Sequence, residues 1–278
     1  MNYIYSVLLG AIQGLGEFLP VAGSGLLLIA KKLLGVPEEL IQNPAMDAAL
    51  RWGALLAVLL VFHRTGWELL KGLGSLIKGL FNGTFKWRKA GKYQMMAVYL
   101  LVATLPMAVL AFIQQYYNVL GRWSDHLLFV GAMLLVSGAL VFIGSHSICH
   151  GWTAQEMKVG HALKLGLFQA VACLPGLSRT GTTLSMACNM GFERQTALEF
   201  SFMMAVPTLL GTNLLRLGAL TPPTPGEWGL LAVGFGAVLL FGALAAALMK
   251  WLIQKDRFGW TMYYCLAAGI AAVVLYFV

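Results

Sequence analysis

The stretch Cys173-Leu-Pro-Gly-Leu-Ser-Arg-Thr-Gly-Thr-Thr183 interrupts an apolar run with a Pro-Gly break, four hydroxyls and one fixed positive charge. Its flanks are apolar arms, roughly Ala162 to Leu174 and Thr183 to Gly191, each shorter than the ~20 residues needed to cross a bilayer core. Proline and glycine end one helix at Pro175-Gly176, and irregular backbone at membrane depth is tolerated where it lines a polar cavity. The stretch therefore reads as the tip of a re-entrant helical hairpin.

Composition supplies the solvent. With 59% apolar and 11% charged residues and a mean hydropathy of +0.77, the chain is far from the roughly 25% charged make-up of a soluble domain. An all-α polytopic membrane protein follows, with no soluble domain: residues 1–278 form one integral membrane domain. Six spans are expected at approximately 45–62, 95–113, 127–143, 197–217, 229–249 and 260–278. The polar segment His63 to Gln94 is read as a basic cytoplasmic loop, because Arg64, Lys71, Lys78, Lys86, Arg88, Lys89 and Lys92 face one acid, Glu68. The net charge of +8 is thereby a matter of topology, and nucleic acid is not an expected partner. The four cysteines, Cys149, Cys173, Cys188 and Cys265, have no metal or disulfide spacing and read as packing residues. The H-x-x-x-H of His146 and His150, with His161, reads as solvated loop rather than metal site.

Counting crossings outward from that loop leaves the segment between the spans ending near Ile143 and starting near Ala197 unable to cross. By the same count Met1 to Leu34 must either enter and return or cross twice, and its break is Glu17-Phe-Leu-Pro-Val-Ala-Gly-Ser-Gly25. Lys31 and Lys32 then fall on the outer side, against the positive-inside rule. Gln13 to Gly25 and Gln169 to Gly181 share Gln, Leu-Pro and a Ser/Gly turn about 155 residues apart. An inverted repeat is expected, the first copy about 1–113 and the second about 127–278, with polar sites near the midplane where the copies meet. Asp47 and Glu199 each open a long span after a break. Gly10-x-x-x-Gly14 has the spacing of a helix-packing face, within one chain or in a homodimer.

An arginine at membrane depth is costly and marks a binding site or pathway. Around Arg179, the hydroxyls of Ser178, Thr180, Thr182 and Thr183, the flexible Gly181 and a restarting helix N-terminus suit a phosphate. The alternative is structural: Arg179 pairs with an acid while the hydroxyls bond back to their own helices. No Walker loop occurs.

These residues carry a family likeness. Glu17-Phe-Leu-Pro20 with its small turn, Pro175-Gly-Leu-Ser-Arg-Thr-Gly-Thr-Thr183, and Glu199-Phe-Ser-Phe-Met-Met-Ala-Val-Pro207 resemble the undecaprenyl-diphosphate phosphatase (bacitracin-resistance) family over the whole chain. The resemblance implies six spans with two inverted re-entrant hairpins in the inner membrane of a bacterial cell. It also implies hydrolysis of a C55 isoprenyl diphosphate to the monophosphate carrier used in cell-wall synthesis. Carried onto this chain, Glu17, Ser178 and Arg179 would be catalytic, and Ser24, Arg179, Thr180, Gly181 and Thr183 would bind phosphate, with Gln13 and Glu199 in support.

The first motif departs from the family form E-x-x-x-E-F-L-P-V-S-S-T-G-H. Gln13 replaces a carboxylate, Ala22 and Gly23 replace the serine pair, and Leu26 stands at the histidine position. Only Glu17 remains to hold a divalent cation such as Mg or Ca, which weakens metal assistance. Arg51 stands where the resemblance leads to a neutral glutamine. It reads either as a second phosphate-binding arginine beside Arg179 or as an i,i+4 partner of Asp47. Two functions compete at this level: hydrolysis of the isoprenyl diphosphate, and a non-hydrolytic binder or flippase for the lipid phosphate.

Overall fold

The computed structural model describes residues 2–83, 90–117, 123, 126–219 and 222–277. Lys86, Arg88, Lys89 and Thr221 lie outside the described residues. Six helices are long and apolar enough to cross a membrane: Pro44–Val61, Lys92–Gln114, Leu127–His146, Arg194–Arg216, Glu227–Gln254 and Phe258–Phe277. They match the six expected spans to within a few residues at each end.

In chain order the helices are α1 (Asn2–Phe18), α2 (Gly23–Leu34), α3 (Glu38–Ile41), α4 (Pro44–Val61), α5 (His63–Phe81), α6 (Lys92–Tyr117), α7 (Leu127–His146), α8 (Val159–Val171), α9 (Arg179–Asn189), α10 (Arg194–Arg216), α11 (Glu227–Gln254) and α12 (Thr261–Phe277). Local chemistry sets several starts. Asn43 Oδ1 accepts from the amides of Ala45 and Met46 at 2.9 and 3.1 Å, with Pro44 in the first turn, so α4 begins there. Pro106 and Pro207 lie inside α6 and α10; neighbouring helices re-satisfy freed backbone groups in such bundles.

Within the basic segment between two spans, residues 63–81 are helical rather than irregular. They form α5, which buries Thr65, Leu69, Gly72 and Leu76 at helical spacing and turns Lys71 and Lys78 outward. Dense positive charge masked the 3.6-residue period that these four positions follow. Gly72 lets α5 approach α6, since a Cβ there would sit 2.8 Å from the Tyr93 backbone.

The two short helix pairs enter the bundle from opposite ends. In α1, Tyr3 packs against Gly229 near the start of α11, and Phe18 against Gly242 deep inside it. In α2 the chain returns, and Lys32 reaches the carbonyl of Leu275 at the end of α12. Asn43, which caps α4, donates through Nδ2 to Glu227 Oε1 at 3.0 Å in the first turn of α11, and Lys31 of α2 pairs with Glu38 of α3, so both outer ends of this pair lie with the first turn of α4. The pair α8 and α9 starts and finishes at the other end, where Ser147 Oγ bonds Asn189 Oδ1 at 3.2 Å. Such an arrangement fits the two hairpins expected from the chain. Gly10 and Gly14 pack α1 on α11: added Cβ atoms would lie 2.6 Å from Gly234 O and 2.6 Å from Gly242 N. The Gly-x-x-x-Gly face is thus used within one chain.

Candidate active site

The breaks of the two helix pairs meet. Leu19 to Ala22 separate α1 from α2, and Ala172 to Ser178 separate α8 from α9. Gly176 takes φ +89°, and a Cβ there would lie 2.3 Å from Val130 O, so both its backbone angle and the approach of α7 require glycine. Gly181 sits against the tip of the other pair, with a virtual Cβ 2.8 Å from Pro20 Cβ.

Hydrogen bonds join the tips. Gly176 N donates to Ser24 Oγ at 3.1 Å, and Thr180 Oγ1 donates to the carbonyl of Glu17 at 2.7 Å. Ser24 is exposed, so the junction is not sealed. Ser178 caps α9, accepting from Gly181 N at 3.1 Å, while its own amide donates to Ser137 Oγ at 2.9 Å. Ser137, buried on α7, also lies 3.3 Å from Gly176 O. It was missed because an isolated serine in an apolar span carries no signal of its partner 39 residues away.

At the centre of this junction Arg179 forms an ion pair with Glu17, the two side chains being 19% and 14% exposed. Each tip thus contributes one charge. The pair sits at the start of α9, whose first amides carry the helix's partial positive charge. The ion pair and one threonine behave as the structural alternative describes, whereas Thr180 bonds across to the other tip. Thr183 Oγ1 donates to Arg179 O at 2.9 Å and contacts Ser201 Oγ. Thr182 Oγ1 is buried with no hydrogen-bond partner among the described residues. Gln13 lies one turn before Glu17 on the same face of α1.

Two expected members lie elsewhere. Arg51 does not join Arg179: its Nε donates to Asp47 Oδ1 at 2.9 Å, and Arg216 Nη1 reaches Asp47 Oδ2 at 2.6 Å. The i,i+4 spacing on α4 decides this, since it brings Asp47 within reach before any other acid. Glu199 accepts from Gln195 Nε2 at 2.9 Å and lies 3.7 Å from Lys92 Nζ at the opposite end of the bundle. Its place near the start of α10 puts it close to the first residue of α6.

The donors around Glu17 do not fit a divalent cation. The one carboxylate is held by a guanidinium, its neighbours at 13 and 26 are an amide and a leucine, and such ions require several oxygen ligands. Among the described residues no three His, Cys, Asp or Glu side chains converge. His150, Trp152, His161 and Phe192 instead form an aromatic cluster, with ring centroids 5.4 to 6.1 Å apart.

Fold and site together define a multi-pass helical membrane protein in which two broken helix pairs bring one acid and one arginine into contact inside the bundle. Its family is visible in the sequence comparison. The chain belongs to the bacitracin resistance protein BacA family, whose model matches residues 6–271. It is similar to the undecaprenyl-diphosphatase of Desulforapulum autotrophicum, with 31% identity over 280 residues and 100% of each chain covered. Similarity to the undecaprenyl-diphosphatase of Christiangramia forsetii is 32% over 99% of this chain and 98% of the relative. For the Rubrobacter xylanophilus undecaprenyl-diphosphatase it is 34% over 99% of both.

Proposed function

We propose that this protein hydrolyses undecaprenyl diphosphate to the monophosphate lipid carrier in the cytoplasmic membrane. The observation that carries the reading is the Glu17–Arg179 pair formed across the two helix-pair tips. Full-length likeness to proteins named undecaprenyl-diphosphatase favours hydrolysis over a flippase.

Without substrate the two charges neutralise each other. A diphosphate offers the guanidinium two oxygens in the bidentate geometry that suits arginine, and the N-terminus of α9 adds partial positive charge. Moving Arg179 from carboxylate to phosphate leaves Glu17 as a free base. Water then attacks the terminal phosphorus, its proton passes to Glu17, and the bridging P–O bond breaks. The lipid monophosphate leaves with that electron pair, and inorganic phosphate is the second product. Positioning and charge stabilisation carry most of the work in such phosphoryl transfers. Ser24 and Thr180 hold the tips in register, Ser178 caps α9 and is tied to α7 through Ser137, and Gly181 lets the tips touch.

The test is phosphate release from undecaprenyl diphosphate by the purified protein, with and without EDTA. Release is expected in both, and Arg179→Lys should weaken substrate binding by about 1–3 kcal/mol because an ammonium cannot fork. Absence of release by the unaltered protein, or an undiminished Arg179→Lys variant, would overturn the assignment.

A further inference from the structure

A second charged pocket lies at the end of the bundle formed by the first turns of α4 and the last turn of α10. It encloses about 450 Å³ and is lined by Asp47, Arg51, Trp52, Asn213 and Arg216. Two guanidiniums share one carboxylate there, so the cluster carries one excess positive charge. Arg51 uses Nε and Arg216 uses Nη1 for Asp47, which leaves other N–H groups of both forks beyond those two bonds.

An independent feature points to a ligand. Asn213 lines the same pocket with 4% exposure, and neither its Nδ2 nor its Oδ1 has a hydrogen-bond partner among the described residues. Leaving a buried amide unpaired is costly, and such groups ordinarily find partners. Ala48 lines both this pocket and an apolar one of about 490 Å³ walled by Ala45, Ala49, Trp228, Leu231 and Phe235. Charge and grease therefore adjoin.

We infer that this pocket is a second phosphate site, separate from Glu17 and Arg179, taking a phosphate monoester whose apolar chain lies in the adjoining cavity. The arginine forks meet the phosphate oxygens, and Asn213, whose two amide atoms are closed off in the free protein, turns toward the ligand so that Nδ2 donates to a phosphate oxygen and Oδ1 accepts from the hydroxyl of a singly protonated phosphate. The inference rests on this pocket alone and stands whether or not the chain hydrolyses a diphosphate.

The experiment is equilibrium dialysis of radiolabelled inorganic phosphate against the full-length protein carrying Arg179→Lys, which weakens the first site. Methyl phosphate and dodecyl phosphate serve as competitors. Phosphate should still bind, and Arg51→Gln or Arg216→Gln should each weaken it about tenfold or more, the usual worth of a charge-assisted hydrogen bond. Arg51→Lys keeps the charge beside Asp47 and should lose less. Asn213→Leu should weaken binding while leaving the melting temperature unchanged or higher, an outcome that a purely structural role for the amide would not produce. Dodecyl phosphate should compete about tenfold better than methyl phosphate, through burial of its chain. No binding in the Arg179→Lys protein, or binding that survives loss of both Arg51 and Arg216, overturns the site. Equal competition by the two esters overturns the lipid-linked ligand and assigns the pocket to free phosphate.

Discussion

Replacing Glu17 by glutamine removes the counter-charge of Arg179 while keeping the side chain's shape. Breaking a fully buried ion pair by deleting one partner costs about 3–5 kcal/mol, chiefly because the other charge is stranded. Here the side chains retain 14% and 19% exposure, so partial solvation lowers the expected loss to about 2–3 kcal/mol. In a chain of this size that corresponds to a fall in Tm of roughly 4–12 °C. Glu17→Gln combined with Arg179→Gln strands no charge, so the double variant should melt within a few degrees of the unaltered protein. The coupling energy should then be about 2 kcal/mol or more. Glu17→Gln, Arg179→Gln and the double variant should each release phosphate from undecaprenyl diphosphate at least about 10²-fold more slowly, since the base or its exchange partner is missing. The measurement is a double-mutant cycle of thermal unfolding in detergent, followed by tryptophan fluorescence, beside the phosphate assay. A double variant as unstable as the sum of the two singles would refute the reasoning, for the charges would then not act as a pair.

Gly176→Ala should lower stability by at least about 2 kcal/mol, because its φ of +89° and the Val130 carbonyl 2.3 Å away leave no room for a Cβ; a Tm within a degree of the parent would contradict this. Ser24→Ala leaves the part-buried amide of Gly176 without its acceptor, so about 0.5–1.5 kcal/mol should be lost in urea or thermal unfolding. Restoring Gln13→Glu, Gly23→Ser and Leu26→His together should raise the rate of phosphate release by at least about 10², with little gain from any one alone. Gly23 has room for the added Cβ, which would come no closer than 3.4 Å to a neighbour. A triple variant no faster than the parent would show that Glu17 and Arg179 already suffice.

The six spans and the two breaks were legible in the chain because hydropathy is a property of each segment taken alone. About 20 apolar residues cross a bilayer wherever they stand, and Leu19-Pro20 or Pro175-Gly176 stops a helix whatever its neighbours are. Arg179 was legible for a similar reason, since a cation among apolar residues declares its own cost. The helix α5 was not, because its lysines and arginines hid an apolar stripe of four positions. Contacts between distant segments were beyond the chain's reach. Nothing local joins Glu17 to Arg179, Ser137 to Ser178 or Asp47 to Arg216, pairs separated by 41 to 169 residues. Each depends on the depth and rotation at which one helix packs on another, and close approaches such as those at Gly10, Gly14 and Gly181 set those quantities. Which arginine meets which acid was therefore decided by tertiary packing, through side-chain reach across helices. That the membrane interior would hold a charged site at a broken helix was already decided by composition and order.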